Sequence, residues 1–118
     1  MEKGIYLART TDLGRISVSA KTIAQIAGHV ATESYGIVGM AGRRFPRLPG
    51  RERRTDGIGV KTCDGGGVEI DLHVVVQYGL RLAEVAAMLR DRVVYEVKAQ
   101  TGVTVARVEV LIDDARRS

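Results

Sequence analysis

The sequence contains one cysteine, Cys63, among its 118 residues. An internal disulfide is therefore impossible, and the composition fits a reducing compartment such as the cytoplasm. The first residues lack the continuous apolar stretch of a secretory signal peptide. No apolar run approaches the roughly 20 residues that a membrane-spanning helix needs. We expect a cytoplasmic protein that touches a membrane only at its surface or through a partner.

Aromatic residues are also scarce, at 4% of the chain, and tryptophan is absent. The core must therefore be aliphatic, and few side chains can stack on nucleic acid bases. The only histidines are His29 and His73. A metal site needs several convergent ligands, and these two histidines fall on different predicted elements with no cysteine cluster beside them. We expect neither a metal nor a cofactor.

A catalytic interpretation rests on Glu69 and Asp71, with His73 beside them on the same predicted strand face. Residues two apart on a strand lie about 7 Å from each other, close enough for paired carboxylates to act together. Solvated charges that face Lys61 or Arg107 on neighbouring strands explain the same pattern. We favour this second interpretation, and we expect no catalytic residues.

The clearest pattern in the chain is a strand, a helix and a second strand within residues 67–112. Apolar and polar residues alternate over 68–77, which predicts a strand buried on one face. Residues 82–100 contain neither proline nor glycine, and their apolar residues recur three or four apart, which predicts a helix that ends at Gly102. Alternation over 108–112 predicts the second half-buried strand.

The first half of the chain supplies the partners of this unit. A short strand at 14–19 leads to Ser19, which is placed to cap a helix beginning at Ala20. The stretch 37–41 is either a short strand or a buried turn. A strand at 58–63 and the glycine-rich turn 64–67 predict an antiparallel hairpin with the central strand.

These elements predict an α+β fold: a two-layer sandwich with a four- or five-stranded mixed sheet and two helices on one face. The element order is strand-helix-strand-strand-helix-strand, and a ferredoxin-like order is our first choice of topology. We divide the chain into a loosely ordered segment or edge at 1–13, one domain at 14–113, and a tail at 114–118.

Positive charge is concentrated in the Arg-rich segment, residues 42–56, which has no usable periodicity and is predicted to be a loop. Residues 43–54 carry a net charge of +5 within a total of +4, so the rest of the chain sums to about −1. The segment could be solvated without a ligand, contact anionic lipid or a protein, or hold nucleic acid phosphates. The candidate contact residues are Arg43, Arg44, Arg47, Arg51, Arg53 and Arg54.

The predicted sheet face opposite the helices carries mostly polar residues, with Val75, Val105 and Leu111 among them. An open sheet with apolar residues and unpaired edges can recruit a second copy of itself. We therefore predict a homo-oligomer and take these three residues as its candidate self-association face.

Several short stretches, taken in order along the chain, also match one bacterial family. They are GRISVS at 14–19, IAQIA at 23–27, GIVGM at 36–40, VEIDLHVVVQYG at 68–79, VAAMLRDRVVYEV at 85–97, TGV at 101–103 and VEVLI at 108–112. This ordered set resembles the alkaline shock protein family, envelope stress response proteins found mostly in Gram-positive bacteria. The resemblance covers residues 13–112, and its one departure is the strongly basic Arg-rich segment.

The resemblance implies a cytoplasmic α/β protein without known catalytic activity. It implies self-association and attachment to the inner face of the cell membrane through a separate membrane-anchor protein. It supplies no catalytic, cofactor or metal residue to carry over. We therefore expect a non-enzymatic envelope stress response protein; the alternative is a nucleic-acid-binding or regulatory module that uses the Arg-rich segment.

Overall fold

The structure, a computed structural model, describes residues 5–11, 14–41, 57–63 and 66–117, with side chains described from Ser17 onward. Two helices and six strands lie within these ranges. In chain order they are β1 (Ile5–Thr11), β2 (Gly14–Ser19), α1 (Ala20–Thr32), β3 (Ile37–Met40), β4 (Ile58–Thr62), β5 (Val68–Gln77), α2 (Leu82–Thr101) and β6 (Val105–Arg116).

Strand β5 is the centre of the main sheet. Strand β6 runs parallel to it along one edge, connected through α2. Strands β3 and β4 both pair with the other edge of β5, and both are antiparallel to it. The predicted hairpin of β4 and β5 is confirmed, with Ile58 opposite Leu72 and Thr62 opposite Val68. The predicted mixed sheet is confirmed as well.

Strands β3 and β4 together form one interrupted edge strand. The N–H of Ala41 donates to the carbonyl oxygen of His73 (3.0 Å), and the N–H of His73 donates to the carbonyl oxygen of Gly57 (2.9 Å). Ala41 and Gly57 therefore occupy the same position opposite His73. Residues 42–56 are an insertion at this single point of the sheet edge.

Both helices pack on one face of the sheet, and their boundaries follow local chemistry. Ser19 caps α1, since its side-chain oxygen accepts the N–H of Thr22 at 3.2 Å. Gly102 ends α2 in the left-handed conformation (φ 82°), and its N–H donates to the carbonyl oxygen of Lys98 at 2.9 Å. The fully buried large side chains of the aliphatic core are Ile23, Val68, Ile70, Leu72, Val74, Val76, Leu89, Val93 and Val97.

The N-terminal strands lie outside this sheet. Strand β1 pairs with β2 in a separate two-stranded antiparallel sheet. A ferredoxin-like order, which would include Gly14–Ser19 in the main sheet, is therefore not found. The physical reason is that both edges of β5 are already paired, one by β6 and the other by β3 and β4.

Gly67 provides a test of the turn that leads into β5. It has φ +86°, and a Cβ built there would lie 2.9 Å from the carbonyl oxygen of Thr104, which accepts the N–H of Val68. We predict that Gly67→Ala lowers the free energy of unfolding by about 2 kcal/mol or more, since it combines backbone strain with a steric clash. Urea denaturation measures this directly.

Gly39→Ala is the matched control, because a Cβ at Gly39 meets no atom within 4 Å and its φ is not in the left-handed region. We expect a change below about 1 kcal/mol there. Equal effects at Gly39 and Gly67 would contradict this account of the turn.

A second prediction concerns the insertion at the sheet edge. Since Ala41 and Gly57 both bond to His73, replacing residues 42–56 by a three-residue Gly-Ser linker should leave the sheet intact. We expect the free energy of unfolding to stay within about 1 kcal/mol of the full chain, because the entropy of closing a loop changes only slowly with the number of residues in it. Loss of cooperative unfolding would show that the segment is part of the core fold.

Candidate functional site

The side chain of His73 lies at the root of the Arg-rich segment, on the sheet face opposite the helices. Its Nδ1 is 3.2 Å from Oδ2 of Asp113 on the neighbouring strand β6, and the two side chains are 28% and 20% exposed. The parallel register of β5 and β6 creates this pair by bringing the C-terminal part of β6 alongside the middle of β5. Sequence patterns alone did not reveal it, because the two residues lie 40 positions apart.

The acidic residues beside His73 do not converge on it. Glu69 forms an ion pair with Lys61 (3.8 Å) across the hairpin, as the second interpretation of these charges predicts. Asp71 is exposed. Neither the groove of about 300 Å³ beside Ala83 nor the groove of about 230 Å³ beside Tyr35 is lined by Glu69, Asp71 or His73. The geometry joins His73 to Asp113 rather than to a pair of carboxylates.

The second histidine lies far from this pair in the chain. His29 is on the exposed side of α1, with its Nε2 3.2 Å from Oε2 of Glu33 one helical turn later. Within the ranges that the structure describes, no group of three or more His, Cys, Asp or Glu side chains is arranged to hold a metal ion.

All six arginines proposed as partner contacts fall outside the described residues: Arg43, Arg44, Arg47, Arg51, Arg53 and Arg54. The structure describes the point in the sheet at which this segment begins and ends. That point is the β3–β4 edge of the sheet, where Ala41 and Gly57 are hydrogen bonded to His73.

The proposed self-association face needs correction at two of its three residues. Val105 is only 8% exposed and belongs to the core. A register shift places Val105 opposite Val68 and Arg107 opposite Glu69, so one extra residue on β6 turns Val105 toward the helices.

Val75 is 3% exposed rather than open to solvent. Both neighbouring strands shift register beside it, β3 between Ile37 and Gly39 and β6 on passing from Ile112 to Asp114. Bulged strands bend and twist more strongly, so alternation along β5 no longer predicts exposure there. Leu111, opposite His73 on β6, is half-buried and remains a candidate.

The helix layer exposes apolar side chains that the sequence analysis did not single out. Tyr35 is 62% exposed, Met88 48% and Tyr95 69%. A groove of about 230 Å³ lies where Tyr35 and Met88 meet Leu80. The signal was available in the sequence: Met88 and Tyr95 are seven residues apart, on one helix face, and both lie off the stripe that α2 buries.

Comparison with known proteins identifies the family of this chain. The sequence profile of the alkaline shock protein 23 family, which has a cell envelope-related function, matches residues 8–117. The chain belongs to the alkaline shock protein 23 family. The resemblance found in the sequence is thereby confirmed, and the match extends into the N-terminal hairpin of β1 and β2.

Similar proteins of this family occur in Gram-positive bacteria. The chain is 32% identical to Spy1614, an uncharacterised protein of Streptococcus pyogenes, over 87% of this chain and 88% of that protein. It is 32% identical to the uncharacterised protein YloU of Bacillus subtilis over 90% of this chain and 92% of that one. It is 27% identical to YqhY of the same organism, over 86% and 77%. No solved structure matches the chain.

Membership of the alkaline shock protein 23 family ties this chain to the cell envelope. The helices in the described ranges include none that is both long and apolar enough to span a membrane.

The His73–Asp113 pair can be tested by a double-mutant cycle. His73→Ala and Asp113→Ala each remove one partner, and we expect a coupling free energy of about 0.5–1 kcal/mol, typical of a partly buried ion pair. Urea denaturation of the four proteins at pH 6 gives the value. Additive effects would show that the two side chains contribute independently. His29→Ala and Glu33→Ala form a solvent-exposed control cycle, for which we expect a smaller coupling.

Proposed function

We propose that the protein is a non-enzymatic envelope stress response protein that self-associates and is held at the cytoplasmic face of the cell membrane by a membrane-anchor protein. The observation that carries the proposal is the match to a family with a cell envelope-related function over residues 8–117. The Arg-rich segment adds electrostatic attraction to the membrane surface, and the folded domain makes the specific contact with the anchor.

Charge distribution supports the electrostatic part of the proposal. The excess positive charge falls in residues 43–54, while the rest of the chain is close to neutral. A basic segment near an anionic leaflet gains roughly 1 kcal/mol per arginine close to the surface, and this gain falls off within a Debye length. The hydrogen bonds that His73 makes to Ala41 and Gly57 fix both ends of the segment to one sheet edge. The domain is thereby oriented with that edge toward the membrane.

The helix layer supports a protein partner. Tyr35, Met88 and Tyr95 leave large apolar areas in water, although most other apolar side chains of the two helices are buried. Exposed aromatic and methionine side chains are enriched where proteins bind one another. Arg92 of α2 and Arg81, the residue before α2, are also exposed. This surface suits a segment of the anchor that carries apolar and acidic residues.

The test is affinity capture from native membranes with four forms of the chain. The first two are the wild type and a variant in which all six arginines of the Arg-rich segment are glutamine. The third has residues 42–56 replaced by the short linker. The fourth is a charge-matched control with six exposed cations elsewhere changed to glutamine: Lys21, Arg81, Arg90, Arg92, Arg116 and Arg117.

We expect one small membrane protein to be retained by the wild type and by both variants of the Arg-rich segment. The amount of co-purifying anionic lipid should be lower for those two variants than for the wild type. Lowering the ionic strength should increase that amount for the wild type alone. Loss of the membrane protein in the charge-matched control would place the anchor contact on the folded surface. Capture of no membrane material by any form would overturn the envelope proposal, and nucleic acid in the eluate would support the regulatory alternative.

A further inference from the structure

Strand β6 is the longest strand of the described structure, at 12 residues, and it lies at the margin of the main sheet. Its inner edge pairs with β5 along nearly its whole length. Its outer edge pairs with no strand in the described ranges. Such an edge presents a row of backbone N–H and C=O groups that can accept another strand.

The helix layer faces this edge of β6 mainly with short side chains. Three alanines of α2, Ala83, Ala86 and Ala87, face it across a groove of about 300 Å³ that is also lined by Val108 and Val110. Because alanine side chains are short, the apolar residues at the edge are only partly buried. Val108, Val110 and Ile112 pack against the core but remain half-exposed to solvent.

The regular part of β6 is bounded by its two register shifts. One precedes Arg107, and the other follows Ile112. Between them the faces alternate. Val108 and Val110 point toward the helices with Ile112, whereas Arg107 and Glu109 point to the opposite face with Leu111.

We propose that two copies of this chain join their β6 strands antiparallel, about a twofold axis that passes Val110 and lies perpendicular to the sheet. This register places Val110 opposite its own counterpart, Val108 opposite Ile112, and Arg107 opposite Asp113. The inference rests on the self-association in the proposed function and assigns it a surface, a register and a symmetry.

Several registers would place the helices of both copies on the same side of the joined sheet. The charged residues favour this one among them. Residues directly opposite each other in an antiparallel pair place their side chains on the same face of the sheet. The twofold axis must therefore pass between a residue and its own counterpart in the other copy, not between two different residues. An axis at Glu109 places that carboxylate opposite itself, and an axis at Leu111 places it opposite Asp113. Like charges directly opposite each other are destabilising. The axis at Val110 instead gives two symmetric Arg107–Asp113 pairs.

An axis at Arg107 places that guanidinium opposite itself, and an axis at Ile112 runs the pairing across the second register shift, with Leu111 opposite Asp113. An axis at Val108 is the remaining competitor. It would pair Arg107 of one copy with Glu109 of the other. It would also run the pairing across the register shift beside Val105 and leave Ile112 without a counterpart. The axis at Val110 keeps the Val110–Val110 and Val108–Ile112 pairs within the regular stretch, over the alanines of α2. Its charge pair uses Asp113, which directly follows that stretch and also contacts His73 of its own copy.

Cysteine crosslinking tests the register. In a Cys63→Ser background, Val110→Cys should form a disulfide-linked dimer under mild oxidation, because opposite residues bring their Cβ atoms to about 4.5–5.5 Å, from which small shifts close a disulfide. Val108→Cys is the matched control. Its counterpart would lie four residues along the strand, roughly 13 Å away, beyond the reach of a disulfide. Crosslinking of Val108→Cys but not Val110→Cys would overturn the register.

Charge reversal tests the pairing without crosslinks. Arg107→Glu sets two carboxylates opposite each other in a homodimer, and Asp113→Arg sets two arginines opposite each other. We expect each variant alone to dimerise at least roughly tenfold more weakly than the wild type, a change of about 1.4 kcal/mol. An equimolar mixture of the two variants should dimerise like the wild type, because both pairs in the heterodimer are again of opposite charge.

Sedimentation equilibrium measures all of these states, and urea denaturation of each variant shows that the monomer is folded. The mixture is the decisive sample, since a purely structural defect in either variant would persist in it. A monomeric wild type at 100 µM, or a mixture no more dimeric than its components, would overturn the proposal. Membrane capture by a monomeric variant would then show that the envelope function stands without this dimer.

Discussion

Strand β5 has a hydrogen-bonded neighbour on each edge, and the rest of the structure depends on that arrangement. One edge is filled by β6 in parallel, which requires a crossover, and α2 supplies it. The other edge is shared end to end by β3 and β4. The residues of β5 that face the helices, among them Ile70 and Leu72, are fully buried. Changing the register of β5 would move its apolar residues to the wrong face and break three pairings at once.

Small irregularities in this sheet decide which residues are available for function. One extra residue in β6 turns Val105 into the core and sends Arg107 to the opposite face. A second shift beside Ile112 leaves Asp113 placed to reach His73 at 3.2 Å. The interruption between β3 and β4 leaves His73 bonded to both ends of the Arg-rich segment. The bulges thus set the surface chemistry of a sheet whose core is ordinary aliphatic packing.

Local chemistry in the sequence predicts the elements of this fold well and their relative placement poorly. The capping of α1 by Ser19, the end of α2 at Gly102 and the hairpin into β5 all follow from short-range signals that the structure confirms. The register shift in β6 was missed because the alternation of 108–112 was extended back to Val105, although the apolar positions change phase between Val105 and Val108. The His73–Asp113 pair was also missed, since it requires the parallel register that α2 creates. Strand β1 was missed as a defined strand because its pattern is mixed.

The two proposed contact surfaces lie on opposite edges of the sheet, and this placement has a consequence for the proposed membrane binding. The Arg-rich segment extends from the β3–β4 edge, whereas β6 forms the other edge. A dimer joined through β6 would be six strands wide, with one Arg-rich segment rooted at each outer edge, roughly 24 Å apart at a strand spacing of about 4.8 Å. Dimerisation would therefore obstruct neither segment, and it would present two basic segments from one rigid platform. Two weak electrostatic contacts held in this way bind a surface far more strongly than either alone. The lone segment would bind lipid weakly and reversibly, so self-association through β6 would control how firmly the protein holds the membrane.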